Sequence, residues 1–132
     1  MAPNDLTVGA DLPVLEIEPI SRRSLALFAC GSGDHQAIHI DIEAAQDRGR
    51  DDVIAHGMLS MAYMSRLLTD WVPQEKIRAF RTRFTAVTPV LATPTCTGNI
   101  VSIEDNLARI EITVTLADGT VTAKGEALIQ ID

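Results

Sequence analysis

A short segment carrying both a carboxylate and an imidazole holds the residues best suited to chemistry. Residues 31 to 39 read GSGDHQAIH, which places Asp34 and His39 five positions apart. On an α-helix that offset corresponds to about 140° of rotation, so the two side chains would diverge. On a strand an odd offset sends them to opposite faces. They can converge only if the backbone turns between them, and the glycines just before Asp34 permit irregular backbone.

If they converge, Asp34 and His39 form an acid–base pair. An aspartate is ionised at neutral pH and can orient or deprotonate a water molecule, while a histidine with an ordinary pKa of ~6.5 can give or take a proton. The same residues also fit a structural interpretation, in which Asp34 caps the next turn and His39 is a partly buried side chain without a chemical role. Residue types alone leave both interpretations open.

The second candidate is Gly57, in the sequence IAHGM at the start of an apolar helix. The first turn of a helix presents unpaired N–H groups and the positive end of the helix dipole. Because Gly57 has no side chain, a substrate carbonyl could approach its N–H closely, as in an oxyanion hole. Alternatively, Gly57 only gives the helix clearance. His35 and His56 are interpreted as structural or solvent-facing residues rather than ligands.

The elements that must position these residues differ between the two halves of the chain. In the first half, Ser21 is a predicted N-cap for a helix over residues 22–30, which Gly31 and Gly33 would break. A short helix is predicted over residues 42–46. Residues 57–69 are apolar on nearly every side, which predicts a buried helix.

The second half alternates with the period of a strand. Strands are predicted around residues 80–86, 95–103, 109–116 and 121–131, with a hairpin at Asp118-Gly119 and a further edge or half-buried strand over residues 14–20. One buried helix followed by at least four antiparallel strands predicts an α+β protein, with the sheet wrapped around the helix.

Composition narrows the possible functions. The chain has 132 residues, 46% of them hydrophobic, which suits one domain over residues 1–132 with one core. A net charge of −7 argues against nucleic-acid binding. Cys30 and Cys96 match no zinc or redox spacing, so no metal or other cofactor is expected. Residues 1–5 lack the features of a signal peptide, and no apolar run approaches the roughly 20 residues that span a membrane, so a cytoplasmic location is expected.

Taken together, the two candidate segments resemble the MaoC-like, R-specific enoyl-CoA hydratases. The family pattern is a Gly-Asp step, then Asn-Pro and a hydrophobic residue before His, and later a His-Gly-Met helix start. The matching residues here are Gly33, Asp34, Ile38, His39, Asp41, Ala44, His56, Gly57, Met58, Leu59, Phe84, Pro89 and Val90. The resemblance covers roughly residues 20–92. Gln36-Ala37 replaces the usual Asn-Pro, which removes a fixed φ from the turn that aims His39, and residues 93–95 depart from the usual Gly-Asp-Thr.

The resemblance implies a hot-dog fold and a reversible hydration of trans-2-enoyl thioesters to (R)-3-hydroxyacyl products. Asp34 and His39 would hold and activate the water, and the Gly57 N–H would bind the thioester oxygen. Ser65 falls where the family often has a serine near the catalytic aspartate. The methionines of the buried helix are interpreted as core residues, although Met58, Met61 and Met64 could also line an acyl tunnel.

The resemblance also implies partners. The acyl carrier would be coenzyme A in preference to acyl carrier protein, with phosphates bound by the densest basic patch, which contains Arg78, Arg81 and Arg83. The chain would form a homodimer with the acyl site at its interface, and it would bind neither nucleic acid nor membrane. Two alternatives stay open: a hot-dog acyl-CoA thioesterase, and a catalytically silent acyl-binding subunit of a heteromeric hydratase.

Overall fold

The computed structural model describes residues 6–132, so the predicted features of residues 1–5 lie outside the described part of the chain. The elements are β1 (Leu15–Glu16), α1 (Arg22–Ser32), α2 (Ile42–Asp47), α3 (Gly57–Thr69), β2 (Ile77–Phe84), β3 (Thr95–Glu104), β4 (Leu107–Thr115) and β5 (Val121–Gln130). Short 3-10 turns cover Ala37–His39 and Gln74–Lys76. The five strands form one antiparallel sheet in the order β1-β3-β4-β5-β2. The predicted α+β class is confirmed.

Helix α3 packs against the inner face of this sheet and forms the main core with it. Successive side chains of a strand point to opposite faces of the sheet, so one face can be buried against the helix. In β4 every second residue is buried, and these residues form part of the inner face. The buried residues of this core include Met64, Leu67 and Leu68 of α3 and Ile110, Ile112, Val114 and Ile129 of the sheet. A smaller cluster joins α1 and α2 to the segment before α3, through Leu25, Ala45, Val53, Ala55 and Leu59. This second cluster supports the segments that carry the candidate site.

The hairpin prediction at Asp118-Gly119 is confirmed. Gly119 has a φ of 90°, which favours glycine, and the Leu116 N–H donates to the Thr120 carbonyl at 2.8 Å. The predicted bounds of α3 are also confirmed. None of the helices within residues 6–132 is long and apolar enough to cross a membrane.

Three details of the sequence prediction are wrong. Gly31 lies inside α1, and Gly33 ends the helix. Of these two glycines, only Gly33 has a positive φ, which is 76°. The strand predicted over residues 14–20 shrinks to Leu15–Glu16, although the N–H groups of Ile17 and Ile20 still donate to the carbonyls of Pro94 and Ala92. Helix α3 is not buried all round: Met58 is 55% exposed, and Ala62 is also exposed. The apolar composition of residues 57–69 could not predict this exposure, which arises because a single sheet covers only one side of the helix.

Gly125 in β5 has no room for a side chain between strand β2 and helix α3. A Cβ at this position would lie 2.5 Å from the Arg81 carbonyl oxygen and 2.7 Å from Met64 Cε. We expect Gly125→Ala to lower the free energy of unfolding by about 1–3 kcal/mol, because backbone and core must shift to admit the methyl group. Urea denaturation measures this change. Gly31→Ala is the matched control, since its Cβ would meet nothing within 4 Å; an equal loss in that variant would contradict the steric explanation.

Candidate active site

The backbone between Asp34 and His39 turns, and the two side chains meet. Asp34 Oδ2 lies 3.7 Å from His39 Nε2. The turn begins at Asp34, whose Oδ1 accepts a hydrogen bond from the Gln36 N–H at 3.3 Å, and it continues into the 3-10 turn Ala37–His39. Such a local side-chain hydrogen bond is typical of aspartate at the start of a turn. The turn therefore forms although the family's proline is replaced by Ala37.

The orientation of the His39 ring is fixed by the main chain. Its Nδ1 lies 2.7 Å from the Ile54 carbonyl oxygen, which can only accept, so Nδ1 carries the proton. In the neutral ring, Nε2 then presents a lone pair towards Asp34. The separation of 3.7 Å is too long for a direct hydrogen bond, yet one water molecule can contact both atoms. The His39 side chain is 10% exposed and that of Asp34 45%, so the pair opens to solvent on the aspartate side.

His56 belongs to the same cluster, which the sequence interpretation missed. It is 1% exposed, and its ring stacks on that of His39 with centroids 3.8 Å apart and planes inclined by 21°. Its Nε2 lies 3.1 Å from the Asp34 carbonyl oxygen, and Phe28 packs edge-on against it at 4.9 Å. Burial lowers the pKa of His56, and the neighbouring His39 lowers it further. Its position next to Gly57 was the available signal. His35, in contrast, is exposed.

The start of α3 supplies the third part of the site. Gly57 is the first residue of the helix, and the N-cap His56 makes no side-chain capping hydrogen bond. The first N–H groups of α3 have no acceptor within the helix and lie at the positive end of its dipole. A Cβ on Gly57 would face the ring of Phe84 at 3.5 Å, and Phe84 is 46% exposed. Gly57 and Met58 are both exposed, so the start of the helix is open to a ligand, one residue from the ring that stacks on His39.

An ion pair holds the segment that orients His39. The Arg22 guanidinium at the start of α1 donates two hydrogen bonds to Asp52, at 2.8 and 2.5 Å. The hydrogen bond from Arg22 holds the pKa of Asp52 at about 2, well below its usual range. Asp52 also accepts from the Val53 N–H at 2.7 Å, and Ile54 donates its N–H to the Ile38 carbonyl at 3.2 Å. These contacts fix the Ile54 carbonyl that accepts the hydrogen bond from the His39 Nδ1–H.

The other predicted site residues lie in different places. The Ser65 hydroxyl donates to the Ala62 carbonyl at 2.7 Å within α3, rather than to Asp34. Met58 is exposed beside Gly57. Thr82 Oγ1 contacts Met64 Sδ at 3.7 Å, so Thr82 faces α3 and its neighbours Arg81 and Arg83 face away from it.

Arg81 and Arg83 line an open groove of about 630 Å³ on the outer face of the sheet. The same groove contains Lys124, Glu111 and Glu126. Arg81 pairs with Glu126, which also accepts from Arg109 at 2.7 Å. Within one chain, this groove is therefore separated from Asp34 and His39 by the sheet.

Asp34, His39 and His56 offer potential metal ligands within 4.8 Å of one another. One nitrogen of each ring faces a backbone carbonyl, and the two rings are stacked. A metal bound by imidazole lies in the ring plane at about 2.0–2.1 Å from the nitrogen. Stacked rings have separate planes, so both cannot hold the same ion. Within this cluster, Asp34 and His39 are suited to proton transfer, and the stacked rings are not arranged to share a metal ion.

Comparisons with known proteins agree with this architecture. Residues 7–124 match the family model described as the MaoC like domain. A 3-hydroxyacyl-thioester dehydratase Z of Mycobacterium tuberculosis is 29% identical over 119 residues, which cover 86% of this chain and 72% of the relative. The R-hydratase PhaJ1 of Pseudomonas aeruginosa is 28% identical, with a TM-score of 0.86 over 96% of this chain and 82% of that chain.

An (R)-hydratase from A. caviae gives a TM-score of 0.88 over 98% of this chain and 100% of that chain, at 22% identity. The hot-dog fold implied by the sequence resemblance is confirmed by these structural matches. Together with the family match over most of the chain, they show that this protein belongs to the MaoC-like family of hydratases and dehydratases.

Proposed function

We propose that the chain catalyses the reversible addition of water to a trans-2-enoyl thioester, giving an (R)-3-hydroxyacyl thioester. The observation that carries the proposal is the 3.7 Å separation between Asp34 Oδ2 and His39 Nε2, beside an open helix start. A carboxylate and a neutral imidazole at this distance can hold one water between them. The names of the relatives, a 3-hydroxyacyl-thioester dehydratase and an R-hydratase, support the same chemistry.

In the proposed mechanism, Asp34 and His39 Nε2 both accept hydrogen bonds from the water, which leaves its oxygen lone pair to attack C3. As the O–C3 bond forms, one water proton passes to the pair, and the π electrons of C2=C3 move towards the thioester oxygen. The Gly57 N–H stabilises the negative charge on that oxygen. The pair then delivers a proton to C2, and the second water proton stays on the product hydroxyl. Because one pair handles both steps, OH and H add to the same face.

Gly57 is tested by replacement with alanine. A methyl group would meet Phe84 at 3.5 Å, an ordinary contact, so we expect Gly57→Ala to fold. The methyl would crowd the approach of the thioester oxygen to the N–H, so we expect turnover to fall by about 10-fold or more. Hydration rates and thermal denaturation, measured together, separate the two effects. A wild-type rate in the folded variant would remove Gly57 from the oxyanion role.

The reaction itself is tested with crotonyl-CoA and acetyl-CoA. A hydratase removes the enoyl absorbance of crotonyl-CoA, releases no thiol from either ester and yields the R product on chiral analysis. A thioesterase, the alternative with the same fold, releases free thiol from acetyl-CoA. Thiol release without loss of the enoyl absorbance would contradict the proposed hydratase activity. A panel of enoyl-CoA esters of increasing length then defines the acyl specificity.

Coenzyme A is the proposed acyl carrier, in preference to acyl carrier protein. Arg81 and Arg83 are kept as proposed phosphate contacts, although they face away from the catalytic pair of their own chain. Strand β2, which carries them, lies at the edge of the sheet beside the surface proposed below as the dimer interface, so these arginines would contact the phosphates of a ligand bound at that interface. Comparing the KM of crotonyl-CoA with that of a crotonyl thioester lacking phosphates tests this contact; equal values would contradict it.

We further propose that the chain acts as a homodimer in a cytoplasmic compartment. Within residues 6–132, no strand pairs with the outer edge of the eight-residue strand β2, and Met58 and Phe84 next to the site are 55% and 46% exposed. Light scattering should give twice the chain mass of 14.3 kDa; a monomer mass would contradict the dimer. The alternative, a silent subunit of a heteromer, predicts that the purified chain gains activity only with a second protein. The complete Asp34–His39 pair favours the active homodimer.

A further inference from the structure

We propose that His56 is a positioning residue that sets Asp34 and His39 at their working separation, holding Asp34 through its main-chain carbonyl and His39 through its ring. This inference rests on the proposed hydratase function and extends it to a residue outside the acid–base pair. His56 contacts both Asp34 and His39 and immediately precedes Gly57 in the chain, so it connects all three parts of the site.

Two contacts from one buried ring reach both members of the pair. The His56 Nε2 lies 3.1 Å from the Asp34 carbonyl oxygen, and the His56 ring stacks on His39 at 3.8 Å. In the part of the chain that the structure describes, the other hydrogen bonds at Asp34 are local, involving Ser32 and Gln36 within two residues. His56 is therefore the contact that ties the exposed Asp34 to a distant and buried part of the fold.

The hydrogen bonds also define the protonation of His56. A carbonyl can only accept, so Nε2 carries the proton. The other nitrogen, Nδ1, is buried and has no hydrogen-bond partner within the described residues. A charged ring would place a second buried N–H there without an acceptor, and would set a cation against His39. His56 therefore stays neutral, consistent with the lowering of its pKa by burial. A ring that does not exchange protons serves to position the pair.

A role in packing alone makes a different prediction. Because Nδ1 has no hydrogen-bond partner within the described residues, a ring carbon can take its place. A phenylalanine would therefore keep the stack on His39 and the edge contact with Phe28, and it would lose only the N–H that donates to the Asp34 carbonyl. A glutamine would keep an N–H donor and lose the stack. Each variant retains one of the two contacts, and His35→Phe, at an exposed histidine of the same segment, is the matched control.

We expect His56→Phe and His56→Gln each to lower kcat by about 10- to 100-fold, with KM changed by less than about 3-fold, because a small misplacement of catalytic groups has effects of this size. His35→Phe should retain the wild-type kcat. Since His56 acts through Asp34, adding His56→Phe to Asp34→Asn should cost less than about 3-fold more. Wild-type kcat in either folded His56 variant, fully additive losses in the double variant, or failure of both variants to fold would overturn the proposal.

A measurement independent of catalysis separates this inference from the function itself. Nitrogen-15 NMR of the wild-type imidazoles should show His56 predominantly neutral, with the proton on Nε2, at a pH of ~6.5, where an ordinary histidine is half charged. A charged His56 at that pH, or a proton on Nδ1, would overturn the positioning role. If the wild-type chain does not hydrate crotonyl-CoA while the NMR result holds, the proposed function fails and the geometry of His56 stands.

Discussion

Asp34→Asn is expected to lower the turnover of an enoyl thioester by about 100-fold or more, with little change in the free energy of unfolding. The asparagine keeps the shape of the side chain, and its amide oxygen can still accept the hydrogen bond from the Gln36 N–H. It lacks the negative charge that orients the water and takes part in the proton transfer. Because the Asp34 side chain is 45% exposed, the loss of charge should hardly affect stability.

The control for this variant is Asp118→Asn, which makes the same change of charge in the β4–β5 hairpin. Asp118 accepts from the Thr120 N–H at 2.9 Å, a contact that asparagine can keep, and Asn-Gly is itself a favourable hairpin sequence. Its turnover should equal that of the wild type. An unchanged rate in Asp34→Asn, with hydration of crotonyl-CoA established, would remove Asp34 from the mechanism.

His39→Asn is expected to have an effect of similar size. The asparagine side chain can place its amide N–H where Nδ1 donates to the Ile54 carbonyl, so the local fold should be kept. The lone pair of Nε2, which faces Asp34, is lost, and with it the second hydrogen-bond acceptor for the water. We expect turnover to fall by about 100-fold or more. Steady-state rates measure the loss of turnover, and a denaturation curve measures whether the fold is kept.

Asp34 and His39 should also act as one unit. Residues that handle the same proton give strongly non-additive effects, so the double variant Asp34→Asn/His39→Asn should be little slower than the poorer single variant. Two losses that simply multiply would indicate separate roles and would contradict a single water held between the two side chains.

Much of the fold followed from periodicity. The α+β class, the bounds of α3 and the hairpin at Asp118-Gly119 depend on local patterns, and the structure confirms them. Burial around α3 could not be predicted in the same way, because the exposure of Met58 depends on how far a distant sheet reaches around the helix. The outward direction of Arg81 and Arg83, in contrast, follows from their alternation with Phe80, Thr82 and Phe84, and the contact of Thr82 with α3 agrees with it.

At the site, the sequence identified Asp34, His39 and Gly57 as candidates, and their chemical roles remain predictions. The sequence did not place His56 in the cluster, because its stacking on His39 joins residues 17 positions apart through tertiary packing. Nor could it identify the Ile54 carbonyl as the group that orients His39, since every residue carries a carbonyl. In contacts of this kind the accepting group is a main-chain atom, so residue types do not predict it.

That dependence on carbonyl groups has a consequence for redesign of the protein. The group that orients His39 belongs to the backbone of Ile54, so many different side chains at position 54 could be exchanged while the imidazole keeps its tautomer. Changing the length of the loop is another matter. Deleting or inserting one residue between α2 and Ile54 would move the carbonyl itself, and no compensating side chain could restore it. Engineering of new substrate preferences should therefore vary residue identity in this loop and preserve its residue count.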